Sequence, residues 1–200
     1  MNQLITRTMP RTALQFAVAI AAFALMIVAA PPANALIVNN GGFESGDLLT
    51  VPGWTQTGNT GFAGVTCGAG VAAEGNCAAF FGPIGSIGGI QQVLNLVIGN
   101  RYLLTFAFRP DGGSNPSFFS AILGGVTLVS LTNPVGTAYQ NFSFSVIATA
   151  ATETLAFNFR DDPGFLFLDA VSVSLPEPGS MGLLAIGFAA LLLMGLRRKV

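Results

Sequence analysis

The residues able to do chemistry in this chain are few, and their types exclude much. There is no histidine. That removes the commonest general base near neutral pH and the commonest transition-metal ligand, and with them any Ser-His-Asp or Cys-His machinery. What remains is a set of acids, two cysteines and one tryptophan. Asp161 and Asp162 stand side by side in "FRDDPGFLF". Glycoside hydrolysis needs two carboxylates on opposite sides of a bond. Neighbours in sequence do not face each other across a substrate, and D-D-P-G is good turn chemistry. "PDGGSNP" (110–116) reads as a loop, because no lysine or following helix supports a phosphate cradle. No catalytic residue is assigned, and the chain is read as a non-enzyme.

Cys67 and Cys77 lie in "TCGAGVAAEGNC". A metal pair would lack partners, since the chain offers no histidine and no further cysteine. A disulfide is the better reading if the chain reaches an oxidising compartment. Trp54, in "VPGWTQTG", has two readings. An exposed indole stacks on a sugar ring and makes a glycan contact; a buried one packs in the core, where tryptophan is found more often.

The elements that must position these residues are strands. Apolar residues make up 52% of the chain and charged residues 8%, far below the ~25% charge of an average soluble domain. The apolar excess gathers at the two ends. From Leu36 to Leu175 the charged residues are Arg101, Arg109 and Arg160 against eight acids, a formal charge of −5. Nucleic acid is excluded as a partner, since phosphate contacts need clustered Lys and Arg. Within 36–175, short runs rich in Val, Leu, Phe and Thr alternate with Gly, Asn, Pro and Asp clusters. Strands are expected at 36–40, 78–82, 90–97, 102–109, 118–124, 126–131, 139–148, 153–160 and 166–174. Alternation puts Tyr102, Leu104, Phe106 and Phe108 on one face, Leu155, Phe157 and Phe159 on another, and Phe142, Phe144 and Val146 on a third. Gly124-Gly125 reads as a two-residue hairpin. Strands with one apolar face and no helices between them give an all-β fold, an antiparallel β-sandwich of jelly-roll type.

The two ends read as addresses. Arg7 and Arg11 precede an apolar stretch from Ala13 to Ala30, then Pro31-Pro32 and Ala33-Asn34-Ala35. This is the order of a secretory signal, so 1–35 is expected to be a signal peptide cut after Ala35. At the other end, 179–196 carries no charge. As a helix it would reach ~27 Å, enough to cross a hydrocarbon core, and the basic tail 197–199 would stay in the cytoplasm. Pro176, Glu177 and Pro178 precede it and hold the outer border extended.

"PEPGSMGLLAIGFAALLLMGLRRKV" (176–200) resembles the PEP-CTERM sorting signal of Gram-negative, exopolysaccharide-producing bacteria, part by part and in order. The resemblance implies recognition of Pro176, Glu177 and Pro178 by exosortase, a membrane cysteine transpeptidase. It also implies a transient inner-membrane anchor and release to the cell surface or medium. "NNGGFESGDLLTVPGWT" and the terminal "FLFLDAVSVS" resemble the ends of galactose-binding-like jelly rolls, among them many carbohydrate-binding modules. In that family the Gly-Trp is usually structural. A structural calcium often sits where its first and last strands meet, which would make Glu44 and Asp169 ligands; the other reading is that both are ordinary turn or strand-end acids. No cofactor is required, and calcium is the one the resemblance admits. The reading is therefore a non-catalytic exported surface or matrix protein of the biofilm polymer layer, sorted by exosortase. The alternative is a carbohydrate-binding module with specific glycan affinity and an extracellular polysaccharide as partner.

Overall fold

The computed structural model describes residues 37–48, 53–112 and 115–176, together with Gly187. These residues of the Asn34–Pro176 unit form ten strands: β1 (Thr55–Gly58), β2 (Ala63–Cys67), β3 (Cys77–Phe81), β4 (Gly88–Asn95), β5 (Arg101–Arg109), β6 (Ser117–Leu123), β7 (Val126–Thr132), β8 (Gln140–Ile147), β9 (Thr152–Asp161) and β10 (Leu166–Ser174). They pair antiparallel into two five-stranded sheets. The first runs β1-β4-β9-β6-β7 and the second β2-β3-β10-β5-β8.

The strands form where the apolar alternation is strongest. Leu155, Phe157 and Phe159 on β9, and Tyr102, Leu104, Phe106 and Phe108 on β5, all turn into the space between the sheets and are buried. Phe142, Phe144 and Val146 pack on the same core from the edge strand β8. Aromatic rings join the two sheets. Phe81 of the second stacks on Phe159 of the first with centroids 3.9 Å apart. Phe108 stacks on Phe119 at 4.0 Å. Phe106 meets Phe157 edge-on at 5.1 Å. Such pairs add about 0.5–1.5 kcal/mol each beyond the area they bury. Gly124 and Gly125 take φ of 57° and 81° between β6 and β7, the two positive angles that a tight hairpin demands.

Three details depart from the sequence reading. The strand expected at 36–40 is absent from its described part, 37–40, which is bend and turn. Asn39, Asn40 and the glycines after them favour turns over a ladder. The segment instead ties itself to the sandwich through side chains and single backbone bonds. Asn39 N donates to Gln92 Oε1 at 2.8 Å, and Val171 N donates to Gly41 O at 2.9 Å. Strands β1 and β2 were not expected; "TQTG" and "AGVTC" hold too few large apolar residues to show a period. Strand β10 carries a bulge between Asp169 and Ser172, with Ala170 at φ 51°. It lets Leu168 and Val171, three apart, both point inward.

The signal peptide expected at 1–35, Glu177 and Pro178, and the basic tail 197–199 lie outside the described residues. So does all of the expected membrane helix 179–196 except Gly187, which is helical. Among the described residues no helix is long and apolar enough to cross a membrane. Leu175 and Pro176, past the end of β10, are exposed.

Candidate functional site

The outer face of the second sheet is where polar side chains, a cleft and a disulfide-closed loop come together. Alternation and register lay its residues out in transverse rows. Phe80, Phe167 and Arg109 lie opposite one another on β3, β10 and β5, and Tyr139 precedes β8 beside them. Thr105 of β5 pairs with Ser143 of β8 and Ser172 of β10. Between these two rows lie Ala78, Asp169 and Ala107. These three point outward, yet none is more than 1% exposed.

They are covered by the loop between β2 and β3. Cys67 and Cys77, opposite each other in the ladder, are joined by a disulfide. The loop they close crosses the sheet as a strap. Asp169 Oδ2 accepts from Ala73 N at 2.7 Å and Glu74 N at 2.9 Å, while Oδ1 accepts from Ala170 N. Glu44 Oε1 accepts from Asn76 N at 2.8 Å and Cys77 N at 2.9 Å. Tyr139 Oη donates to Val71 O at 2.9 Å. The strap separates an aromatic row from a polar one. On the polar side a cleft of about 370 Å³ is lined by Glu74 from the strap, by Thr105, Asn141, Ser143 and Ser172, and by the apolar Phe106, Phe142 and Ala170.

The electrostatics follow from these contacts. The backbone N–H groups of Cys77 and Asn76 hold the Glu44 carboxyl below the usual Glu range. Burial pushes Asp169 up, against the N–H groups of Glu74, Ala170 and Ala73, and the nearby Glu44 charge adds to the rise. Burial also raises the Tyr139 hydroxyl, with Arg109 opposing.

Glu44 and Asp169 are thus brought to one place, but not as a calcium site. Three of their four carboxylate oxygens already accept backbone N–H groups. Calcium takes six to eight oxygen ligands, carbonyls among them; N–H groups present the wrong end of the dipole to a cation. Among the described residues no cluster of three or more acids or cysteines forms a metal group. The donor set fits a hydrogen-bonded strap and does not fit a cation.

Trp54 lies elsewhere and is corrected as a glycan contact. It is 6% exposed, packs between Phe43 and Phe157 with centroids 5.9 and 6.1 Å away, and donates Nε1–H to Asn40 O at 3.1 Å. A sugar needs a free ring face, and this one has none. Asp162 is a turn residue, accepting from Gly85 N and pairing with Arg160 at 2.7 Å. Sequence reasoning missed Glu74, Thr105, Asn141, Ser143 and Ser172. The signal was present in part: on β5 and β8 these are the polar positions between the apolar ones.

No family model matches the chain, and no curated protein is similar to it in sequence. Solved structures share its fold. TmCBM61, solved in complex with β-1,4-galactotriose, is 16% identical with a TM-score of 0.59, over 71% of this chain and 99% of that one. A xylan-binding domain from CBM 22 is 17% identical with a TM-score of 0.51, over 74% and 99%. The enzymatically active domain of bacteriophage CBA120 tailspike protein 4 is 17% identical with a TM-score of 0.53, over 70% of this chain and 21% of its own length. At these identities the likeness shows the fold, a jelly-roll β-sandwich of the kind found in carbohydrate-binding modules.

Proposed function

We propose that this chain is a non-catalytic polysaccharide-binding protein whose binding face is the outer side of the second sheet. The observation that carries the reading is the cleft beside the strap. Thr105, Asn141, Ser143 and Ser172 present hydroxyl and amide groups from three adjacent strands, with the Glu74 wall beside them. A rigid sheet holding convergent hydrogen-bonding groups suits the hydroxyls of a sugar chain. The fold neighbours solved with or named for glycans support the reading by analogy.

The reading includes export and sorting. Pro176, Glu177 and Pro178 act as the recognition segment for exosortase, the apolar span as a transient inner-membrane anchor, and the released protein works in the surface polymer layer. The terminal sequences support this part. Intact mass on protein from the surface of the native cell tests it: a species from near Leu36 to near Pro176 is expected, and a retained full-length C-terminus refutes sorting.

The binding claim is tested by affinity electrophoresis of the full chain in a non-ionic detergent through gels containing soluble polysaccharides. Retardation by at least one is expected, and it should be lost in Asn141→Ala/Ser143→Ala while the melting temperature holds. Migration unaffected by every polymer overturns the reading.

A further inference from the structure

Exposed aliphatic side chains gather at one end of the sandwich. Val97 and Ile98, in the loop between β4 and β5, are 61% and 63% exposed, and Ile147, the last residue of β8, is 53% exposed. Backbone bonds hold these segments together: Gly99 N donates to Ala148 O, and Ala148 N to Asn100 O. Ile147 pairs with Arg101 at the start of β5, and Ser174, the last residue of β10, pairs with Leu103 on the same strand. Leu175, also exposed, therefore leaves β10 at this end. Exposed Val126 follows the β6–β7 hairpin at the same end of the first sheet, where Gly124 N donates to Thr154 O. Charge is sparse here. Residues 96–101, 123–126, 147–154 and 174–176 include one cation, Arg101, and one acid, Glu153. Glu153 is buried, with Oε1 accepting from Thr149 and Ala150. The opposite end also shows apolar side chains, Phe62, Ile84 and Ile87, but carboxylates stand among them. Asp162 accepts from Gly85 N and Asp111 from Phe165 N.

An exposed apolar rim marks an interaction surface, and what it faces is set by where the chain goes next. Pro176 follows Leu175, and the uncharged stretch 179–196 begins three residues after that. The four residues from Leu175 to Gly179 reach at most ~14 Å. The geometry points to a lipid-seating surface: while the chain is anchored, Val97, Ile98, Ile147 and Leu175 rest in the interfacial layer of the bilayer and hold Pro176 at the membrane surface. Apolar side chains of a surface-bound segment sink ~5–10 Å into that layer. The Arg101 stem can lie along the rim with its charged head among the lipid headgroups. The opposite end would have to desolvate Asp111 and Asp162 to do the same, which is costly. The inference rests on the anchor part of the proposed function and adds a second contact with the membrane, made by the domain itself.

The test is tryptophan fluorescence of the full chain reconstituted into phosphatidylcholine vesicles, with and without bromine on the acyl chains, which quenches indoles that reach it. Trp54 is buried and supplies a baseline from the parent. Ile98→Trp should lose at least about half of the emission it adds over that baseline, as a side chain sunk into the interfacial layer would. Ile84→Trp, at the opposite end, should lose little. Both positions are exposed, and melting curves check that each variant is folded; if Ile98→Trp melts below the parent, Val97→Trp takes its place. Flotation of the vesicles reports the anchor separately. If the chain floats with them and the two variants are quenched alike, or neither is quenched, the seating surface is overturned and the anchor stands. A blue-shifted Ile98→Trp emission indifferent to bromine means that protein, such as a second copy of the chain, covers this end, and also overturns it. A chain that does not float with the vesicles refutes the anchor and the seating with it.

Discussion

Removing the Cys67–Cys77 bond gives the sharpest physical test of the strap. The two cysteines are separated by 10 residues, so the cross-link closes a short loop in the unfolded chain. The chain-entropy estimate for such a loop is ~3 kcal/mol at 25 °C. For a domain of this size each kcal/mol shifts the melting temperature by roughly 2–5 °C. The Cys67→Ala/Cys77→Ala variant should therefore melt roughly 6–15 °C below the parent. Alanine is the right replacement because Cys77 is buried, and a serine hydroxyl there would add its own desolvation cost. The strap keeps four backbone bonds to the Glu44 and Asp169 carboxylates in the variant. Amide exchange at Ala73, Glu74, Asn76 and position 77 should accelerate without reaching the rate of an open loop. The assay is a thermal melt of both proteins without reductant, paired with hydrogen exchange read by NMR. A variant that melts within about 2 °C of the parent would show that the loop is held by the carboxylates alone, and the entropic reasoning would be refuted.

Three other outcomes follow from the same contacts. Phe157→Ala deletes a ring that is 0% exposed and that touches Trp54, Phe106 and Phe119; a loss of about 3–5 kcal/mol is expected by chemical denaturation, and a loss under 1 would mean that the inter-sheet core is looser than described. The two strap acids should show opposite pH dependence. Glu44 is lowered, so the stability it adds is present above the ordinary Glu range and is lost as pH falls through its folded value; the deficit of Glu44→Gln against the parent should widen as pH rises. Asp169 is raised, so its contribution is fully present below the ordinary Asp range and is lost as pH rises; the deficit of Asp169→Asn should narrow on the same scan, and parallel slopes would contradict this. Calcium at about 1 mM, against a chelator, should leave the melting temperature unchanged, since a bound ion would raise it by mass action.

Much of the scaffold was legible in the chain because period-two alternation survives wherever one face is buried. "YLLTFAFR" and "ETLAFNFR" place their aromatics in the core as the pattern requires. The pattern fails where burial is not the determinant. Residues 37–40 are apolar enough for a strand, but Asn39 and Asn40 turn the chain, and Trp54 caps the turn through Asn40 O. Strands β1 and β2 are held by their neighbours' ladders rather than by their own side chains. The site was harder to see. Thr105, Ser143 and Ser172 are ordinary outward positions until register sets them in one row. Asp169 and Ala73 are far apart in sequence, and no local feature predicts their bond. Arg109 reads as one of three scattered cations of 36–175, and only the sheet brings Phe167 and Tyr139 to it.

The most direct test of the binding face is an NMR titration of the full chain, isotope-labelled and in detergent, with a short fragment of whichever polysaccharide retards it most in the gel. Amide shifts are expected to be confined to Glu74, Thr105, Asn141, Ser143, Ser172 and their neighbours on β5, β8 and β10. Shifts clustered on the outer face of the first sheet, or around Trp54, would contradict it.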